Sequence, residues 1–227
     1  MSCSDQDVVG DSGAYHAMLD TTSSWIYSLH KIDAAEHEYS WCHEWWEVHG
    51  TDTIKGKVYY KLERYYSPIN GGTRSEADNL DERWFVMGPM GHVISLREES
   101  GRIYALKSQY VDFLKSLSPE TDDFFLAPAS DDDEVLLYDF TLQEDDFYPC
   151  SGDKVRVTSV TWKKTPDGLH RKVLVLSNGF KIVEGVGLIG SCGGLIAYQN
   201  VQLLTRRRDY ISYLFGSVQN GLSTYFE

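Results

Sequence analysis

The feature that most constrains the fold is a series of short segments in which apolar and polar residues alternate, separated by turn signals. In the segment 57–66 the alternation places Val58, Tyr60 and Leu62 on one face of a strand. The Lys55-Gly56 step before it predicts a hairpin, because glycine accepts the positive φ that a tight turn requires. Short strands joined by such turns are typical of an antiparallel meander and not of alternating strands and helices.

The same rhythm continues along the chain. Turn signals at Gly88-Pro-Met-Gly91, Gly101, Thr165-Pro-Asp-Gly168 and Asn178-Gly179 separate the predicted strands. These strands cover residues 39–49, 57–66, 83–87, 92–97, 102–106, 134–142, 155–163, 169–177 and 180–184. One helix is predicted, because Leu106, Tyr110, Phe113, Leu114 and Leu117 recur at helical spacing before Pro119.

The composition is consistent with one β-rich domain. The chain has 227 residues, 42% of them hydrophobic, and it contains 6 Trp, 15 Tyr and 9 Phe, which is enough to build a core of packed strands. Residues 1–22 are rich in Ser, Asp and Gly and are predicted to form a flexible N-terminal tether, with folding starting near Trp25. Residues 23–227 are predicted to form one all-β domain, an antiparallel sandwich or a partly closed barrel, with an inserted helix and acidic loop at about 107–133.

The charge is negative and unevenly distributed. A formal charge of −13 disfavours binding to nucleic acid and nonspecific binding to anionic membrane surfaces. Between Asp112 and Asp146 there are 12 acidic residues and one basic residue, Lys115. We interpret this region as a solvated loop and strand edge, because it lacks the alternating ligand spacing of a calcium loop. The basic run Arg206-Arg-Arg208 is interpreted as a hairpin end or strand edge.

One cysteine predicts a cellular location, and the spacing of the other three predicts no metal site. Cys3-Ser-Asp-Gln-Asp7 resembles the mature start of a Bacteroidetes lipoprotein, in which a lipid-bearing Cys precedes a short acidic export signal, and this makes Cys3 the predicted lipid attachment site. The alternative is an accidental Cys in a flexible tail. Cys42, Cys150 and Cys192 permit at most one disulfide, no pairing follows from the sequence, and their spacing matches no zinc motif.

Four segments carry a family resemblance that covers about residues 50–215. They are Gly50 to Leu62, the hairpin Leu96 to Tyr104, Glu134 to Phe140, and Val183-Glu-Gly-Val-Gly187. Together they resemble uncharacterised secreted or lipid-anchored proteins of Bacteroidetes. The resemblance implies a location outside the cell or on the outer-membrane surface, with membrane contact only through a lipid anchor, and it supplies no catalytic motif. The chain departs from this pattern around 107–133, which makes that insertion a candidate for its individual function.

An aromatic row is the main candidate for ligand contact. If 39–49 is a strand, Tyr39, Trp41, His43 and Trp45 share one face. Exposed flat rings held by a sheet stack on sugar rings, so Tyr39, Trp41 and Trp45 are the candidate binding residues. Packing in the core is the alternative for these tryptophans.

Two further motifs are weaker. His43, Glu47 and His49 would share a strand face and superficially resemble a zinc motif, but their spacing fits half-buried or surface histidines better. Gly185-Val-Gly-Leu-Ile-Gly190 matches a dinucleotide-binding pattern, but the next residues continue the glycine-rich stretch instead of opening a helix. We interpret these glycines as permitting a bulge or a close backbone crossing. No metal and no cofactor is predicted.

The leading functional hypothesis is therefore a non-enzymatic, secreted or surface-anchored accessory protein that binds an extracellular glycan or host protein. An alternative is a carbohydrate-active hydrolase that uses two acidic residues from the 112–146 region. A third alternative is a structural component of an envelope assembly, which would expose a large apolar patch or self-associate. The oligomeric state and the ligand are left open.

Overall fold

The computed structural model describes residues 14–33, 38–66, 70–72, 91–117, 133–148, 155–165, 168–177, 179–189, 210–219 and 222–225. The described strands form two antiparallel sheets, the larger curled into a half-barrel, and the described part contains one short helix. This arrangement confirms the predicted all-β class.

The elements follow one another along the chain in a fixed order. They are β1 (Ser24–Asp33), β2 (Glu38–Ile54), β3 (Lys57–Tyr66), β4 (Asn70–Gly72), β5 (His92–Glu99), β6 (Arg102–Leu106), α1 (Lys107–Leu117), β7 (Glu134–Asp139), β8 (Val157–Lys164), β9 (His170–Leu176), β10 (Lys181–Val183), β11 (Gly187–Ile189), β12 (Tyr210–Gln219) and β13 (Leu222–Tyr225). The large sheet has nine strands in the order β13-β12-β1-β2-β3-β5-β6-β7, with β4 paired to β2. The small sheet has the order β11-β10-β9-β8.

The β2–β3 hairpin forms where the sequence predicts it. Ile54 pairs with Lys57, and the two turn residues Lys55 and Gly56 have φ of +50° and +78°. Two positive φ values in a two-residue turn match the right-handed twist of the strands on either side. On the predicted face, Leu62 is fully buried and Val58 is 50% exposed, whereas Tyr59 on the opposite face is 2% exposed.

The helix is confirmed as well, and it covers part of the large sheet. Helix α1 begins directly after β6, and it buries Tyr110 and Phe113. The ring of Phe113 meets the ring of Trp46 edge to face, with 5.6 Å between centroids. The Arg64 guanidinium lies over both rings, at 5.2 Å from Trp46 and 5.1 Å from Phe113. Helix α1 thus closes the core side of β2 and β3 with an aromatic and cationic stack.

Polar contacts join the two sheets across the core. The indole Nε1 of Trp25, in β1, donates to the carbonyl oxygen of Val186 at 2.9 Å. The Lys172 ammonium, on β9, donates to the carbonyl oxygens of Phe140 and Leu142, which follow β7. Because Trp25 and Lys172 are almost completely buried, these bonds satisfy groups that would otherwise be costly to bury.

Residues 14–23, which we call the N-terminal strap, pack against the domain. Met18 is fully buried and Leu19 is 4% exposed. The Glu98 carboxylate accepts hydrogen bonds from the backbone N–H of Met18 and of Leu19 at 2.8–3.1 Å, and another from the Tyr15 hydroxyl. Burial raises the pKa of Glu98, although these hydrogen bonds oppose the rise. The predicted boundary of the tether at residue 22 therefore falls too late, and a tether stays a prediction for residues 1–13, which lie outside the described part.

Candidate binding site on the outer face of the large sheet

The three predicted binding residues lie on β2, a strand in the middle of the large sheet between β1 and β3. Backbone pairing places Tyr39 opposite Gly72, Trp41 opposite Asn70, and Trp45 opposite Tyr65. Their side chains lie outside the described part of the structure, so contact with a ligand stays a prediction. The same holds for the cysteines, since Cys3, Cys150 and Cys192 and the side chain of Cys42 are not among the described groups.

The C-terminal half of β2 is described in full and separates two faces. Trp46 and Val48 are buried on the core side of the sheet. Glu47 and His49 alternate with them and point to the opposite side, which we call the outer face, with side-chain exposures of 36% and 46%. The outer face of the neighbouring strand β3 carries Glu63 in the position opposite Glu47.

Four side chains meet on this outer face and form what we call the polar cluster, Glu47, His49, Glu63 and Tyr65. The His49 Nε2 lies 3.1 Å from Glu47 Oε2, 4.0 Å from Glu63 Oε2 and 3.0 Å from the Tyr65 hydroxyl. The Tyr65 hydroxyl donates to Glu63 Oε2 at 2.9 Å. The polar cluster is thus one hydrogen-bonded network on two adjacent strands.

The repulsion between the two glutamates of the polar cluster lowers the stability of the sheet. Glu47 and Glu63 are directly opposite each other across the two strands, and like charges in that position destabilise a sheet. Burial, the hydrogen bond to Glu63 and the nearby carboxylate charges raise the pKa of Tyr65 to about 12. At neutral pH the Tyr65 phenol therefore keeps its proton and donates to Glu63, and about half of the His49 side chain remains open to solvent.

The sequence pointed to part of this network only. Glu47 and His49 belong to the predicted His43, Glu47 and His49 set, whose His43 side chain lies outside the described part. Glu63 and Tyr65 were not predicted, because their proximity depends on the β2–β3 register and on the irregularity between Val48 and Thr51. Among the described side chains, no group of three His, Cys, Asp or Glu is arranged to hold a metal ion.

The glycine-rich segment forms a hairpin. After β10 and a turn at 184–186, the chain continues into β11 instead of a helix. Gly185 has a φ of +69°, and a Cβ there would lie 2.3 Å from Arg171 Nη1 and 2.6 Å from the His16 carbonyl oxygen. The backbone of the strap also meets this hairpin, since the His16 N–H donates to Glu184 Oε1 at 3.0 Å. The interpretation of a close backbone crossing is confirmed at Gly185.

The acidic region is not solvated throughout, because Glu134 is only 1% exposed. Its carboxylate accepts hydrogen bonds from Arg97 at 2.7 and 3.0 Å, from Lys57 at 2.8 Å and from the Tyr59 hydroxyl at 2.6 Å. We call these four residues the buried ion cluster. Burial alone would raise the pKa of Glu134, but the hydrogen bonds from Arg97, Lys57 and Tyr59 outweigh it and lower that pKa to about 2. A carboxylate saturated by internal donors holds β3, β5 and β7 together.

Comparisons with known proteins give no match: no family model fits the chain, and neither a curated protein nor a solved structure was found to be similar to it. The resemblance to secreted Bacteroidetes proteins therefore stays a prediction. Within the described residues, no helix combines the length and the apolar character needed to span a membrane.

Proposed function

We propose that this chain is a non-enzymatic binding protein that recognises an extracellular glycan through the polar cluster on the outer face of the large sheet. The observation that carries the proposal is the juxtaposition of Glu47 and Glu63 on adjacent strands, bridged by His49 and Tyr65. Two opposed carboxylates disfavour the sheet, so a role outside folding accounts for their presence better than stability does.

The chemistry of the cluster suits a polyhydroxylated ligand. A sugar hydroxyl both donates and accepts hydrogen bonds, and the cluster offers carboxylate acceptors together with imidazole and phenol groups. A sheet holds these groups on a rigid backbone and limits the entropy lost on binding. Trp45 is paired with Tyr65 by backbone register, so the predicted aromatic row Tyr39, Trp41 and Trp45 continues along the same strand into the cluster. The Tyr65 ring beside hydrogen-bonding carboxylates is a chemically suitable surface for a sugar ring.

Exposure favours binding over hydrolysis at this position. A glycosidase needs one carboxylic acid whose pKa is raised, as in an apolar pocket that desolvates the acid. The side chains of Glu47 and Glu63 are 36% and 25% exposed, so solvent reaches both carboxyl groups. In the acidic region, Glu134 is unsuited to the general-acid role because its pKa is lowered to about 2. A hydrolase therefore remains the second candidate, and it is separated from the first by a turnover measurement.

A glycan array probed with the purified chain, followed by calorimetric titration of each retained glycan, tests the proposal. We expect Glu47→Gln, Glu63→Gln and Tyr65→Phe each to weaken binding at least about tenfold, which is the loss expected for one hydrogen bond to a charged group. Asp52→Asn is the matched control, because Asp52 is an exposed carboxylate on the same strand that lies outside the cluster. It should leave the affinity unchanged.

Two results would contradict the proposal. One is an array on which no glycan is retained, and the other is binding that the three cluster variants leave intact while their thermal unfolding matches that of the unsubstituted chain. If a retained glycan is cleaved, and Glu47→Gln or Glu63→Gln abolishes the cleavage, the hydrolase replaces the binding protein. Extracellular location with lipid attachment at Cys3 is part of the same proposal, and mass spectrometry of peptides released by protease from intact cells tests it.

A further inference from the structure

Strand β8 is an edge strand in the described part of the small sheet. It pairs with β9 on one side, and its first residues meet the segment 145–148 on the other. There the Asp145 N–H donates to the Val157 carbonyl oxygen at 2.9 Å, and the Val157 N–H donates to the Asp146 carbonyl oxygen at 2.9 Å. Beyond Val157, no described strand pairs with this second edge of β8.

The unpaired half of β8 has an unusual surface for an edge strand. Trp162 is 44% exposed, and Thr161, Lys163 and Lys164 are also exposed, so solvent reaches both faces of the strand end. Proteins usually protect such edges with charge and avoid large exposed apolar side chains there. The two lysines fit an edge that is protected from pairing with other chains. A tryptophan with nearly half of its surface in water does not fit such an edge.

The positive and negative charges along this edge lie at opposite ends. Lys163 and Lys164 lie at its C-terminal end. The exposed Glu144 and Asp145 lie beside its N-terminal end, where Asp145 contacts Val157. A strand that carries opposite charges at its two ends is self-complementary in the antiparallel direction, since each basic end then meets an acidic end.

We propose that the second edge of β8 binds a second copy of this chain, with the two β8 strands antiparallel around a two-fold axis at Thr161. A two-fold axis perpendicular to the sheet keeps equivalent side chains on the same face. Because side chains alternate along a strand, two residues that lie opposite each other must then both have odd numbers or both have even numbers. With Thr161 on the axis, Trp162 of one copy lies opposite Val160 of the other. Lys163 and Lys164 then lie opposite Ser159 and Thr158, beside the acidic turn of the second copy.

This register satisfies three demands at once. The two four-stranded sheets become one continuous sheet of eight strands, which gives the edge backbone groups partners. Trp162 gains an apolar cross-strand neighbour on the face that also carries Leu174, because Val160 pairs with Leu174 in β9. The turn at 145–146 ends the pairing, since it already occupies the edge at Val157. A contact limited to residues 158–164 is small, so the dimer should be weak and reversible.

Sedimentation equilibrium of the full chain over micromolar to millimolar concentrations tests the inference. We expect the mass to rise from the 25.9 kDa of one chain towards twice that value. The double variants K163E/K164E and E144K/D145K should each remain monomeric, because equal charges would then meet at both ends. An equimolar mixture of the two should dimerise again, since both ends of the mixed pair are complementary. The single reversal Lys181→Glu, at the one exposed position of β10, is the matched control and should dimerise normally.

A second measurement does not depend on the folding of the charge variants. Only the residue on the two-fold axis faces its own copy, so Thr161→Cys should form a covalent dimer under mild oxidation, above the background of the native cysteines. Thr158→Cys should not. A chain that stays monomeric at every concentration, a mixture that fails to dimerise, or equal cross-linking of the two cysteine variants would overturn the inference. None of these outcomes bears on glycan binding by the polar cluster.

Discussion

Replacing Glu134 by Gln tests the physical account of the buried ion cluster. The change keeps the shape of the side chain and removes the charge that Arg97 and Lys57 surround. The fall of the Glu134 pKa from 4.5 to about 2 corresponds to about 3 kcal/mol of stability at neutral pH. This agrees with the roughly 3–5 kcal/mol lost when one partner of a buried ion pair is removed. Glu134→Gln should therefore lower the free energy of unfolding by about 3 kcal/mol.

The pH dependence has a defined sign. Because the folded-state pKa of Glu134 is lowered, its contribution is present above pH 4.5 and is lost as the pH falls from about 4.5 towards 2. The raised pKa of Glu98 acts in the opposite direction in acid, but it affects both proteins equally. The difference in unfolding free energy between the two proteins, measured by urea titration with tryptophan fluorescence, should thus shrink from about 3 kcal/mol to near zero across that range.

Glu99→Gln is the matched control, because Glu99 also contacts Arg97, at 2.7 Å, but its side chain is 65% exposed. Exposed pairs contribute about 0–1 kcal/mol, so this variant should change stability little. A Glu134→Gln protein within about 0.5 kcal/mol of the unsubstituted chain, or a difference that persists unchanged at acidic pH, would refute the reasoning.

Three further perturbations test other parts of the fold. Gly185→Ala should lower the free energy of unfolding by about 2 kcal/mol or more, because a Cβ there would lie within 2.6 Å of two atoms. Gly179→Ala, at φ +87° with nothing within 4 Å, should lower it by only about 1 kcal/mol. Thermal unfolding distinguishes the two variants, and equal losses would contradict the close crossing. Phe113→Ala should cost about 3–5 kcal/mol by emptying the ring contact under α1, and the exposed neighbour Asp112→Ala should stay within about 0.5 kcal/mol in urea titrations. Burial and the hydrogen bond to the neighbouring carboxylate raise the pKa of Tyr59 to about 12, so its contribution is present below pH 10 and lost between pH 10 and 12. Tyr59→Phe should make the alkaline loss of melting temperature shallower, and an unchanged slope would argue against this role.

Local features of the fold were predictable because neighbouring residues determine them. The Lys55-Gly56 turn, the strands that flank it and helix α1 follow from alternation, turn residues and helical spacing. The boundary at residue 22 was not predictable, since the strap is rich in polar residues and is held by Glu98, which is about 80 residues away. Composition alone cannot reveal a polar segment that is fixed by a distant carboxylate.

The candidate site follows the same division. Alternation assigns Glu47 and His49 to the face opposite Trp46, but the presence of Glu63 and Tyr65 beside them is a matter of strand register. The acidic character of residues 112–146 suggested exposure, and Glu134 is buried because Arg97, Lys57 and Tyr59 reach it from β5 and β3. The residues near Glu134 in the sequence do not predict those partners.

The N-terminal strap also has a consequence for the order in which the chain becomes structured during synthesis. Residues 14–23 leave the ribosome early, yet the groups that hold them, Glu98 and Glu184, are about 80 and 168 residues further along. The strap therefore cannot make all of its contacts until Glu184, at the β10–β11 turn, has been made. The hydrogen bonds of Met18 and Leu19 to Glu98 cannot form before that residue has been made. Complete docking of the strap is thus expected to be late, and chains that stall before residue 184 should leave residues 14–23 more open to protease.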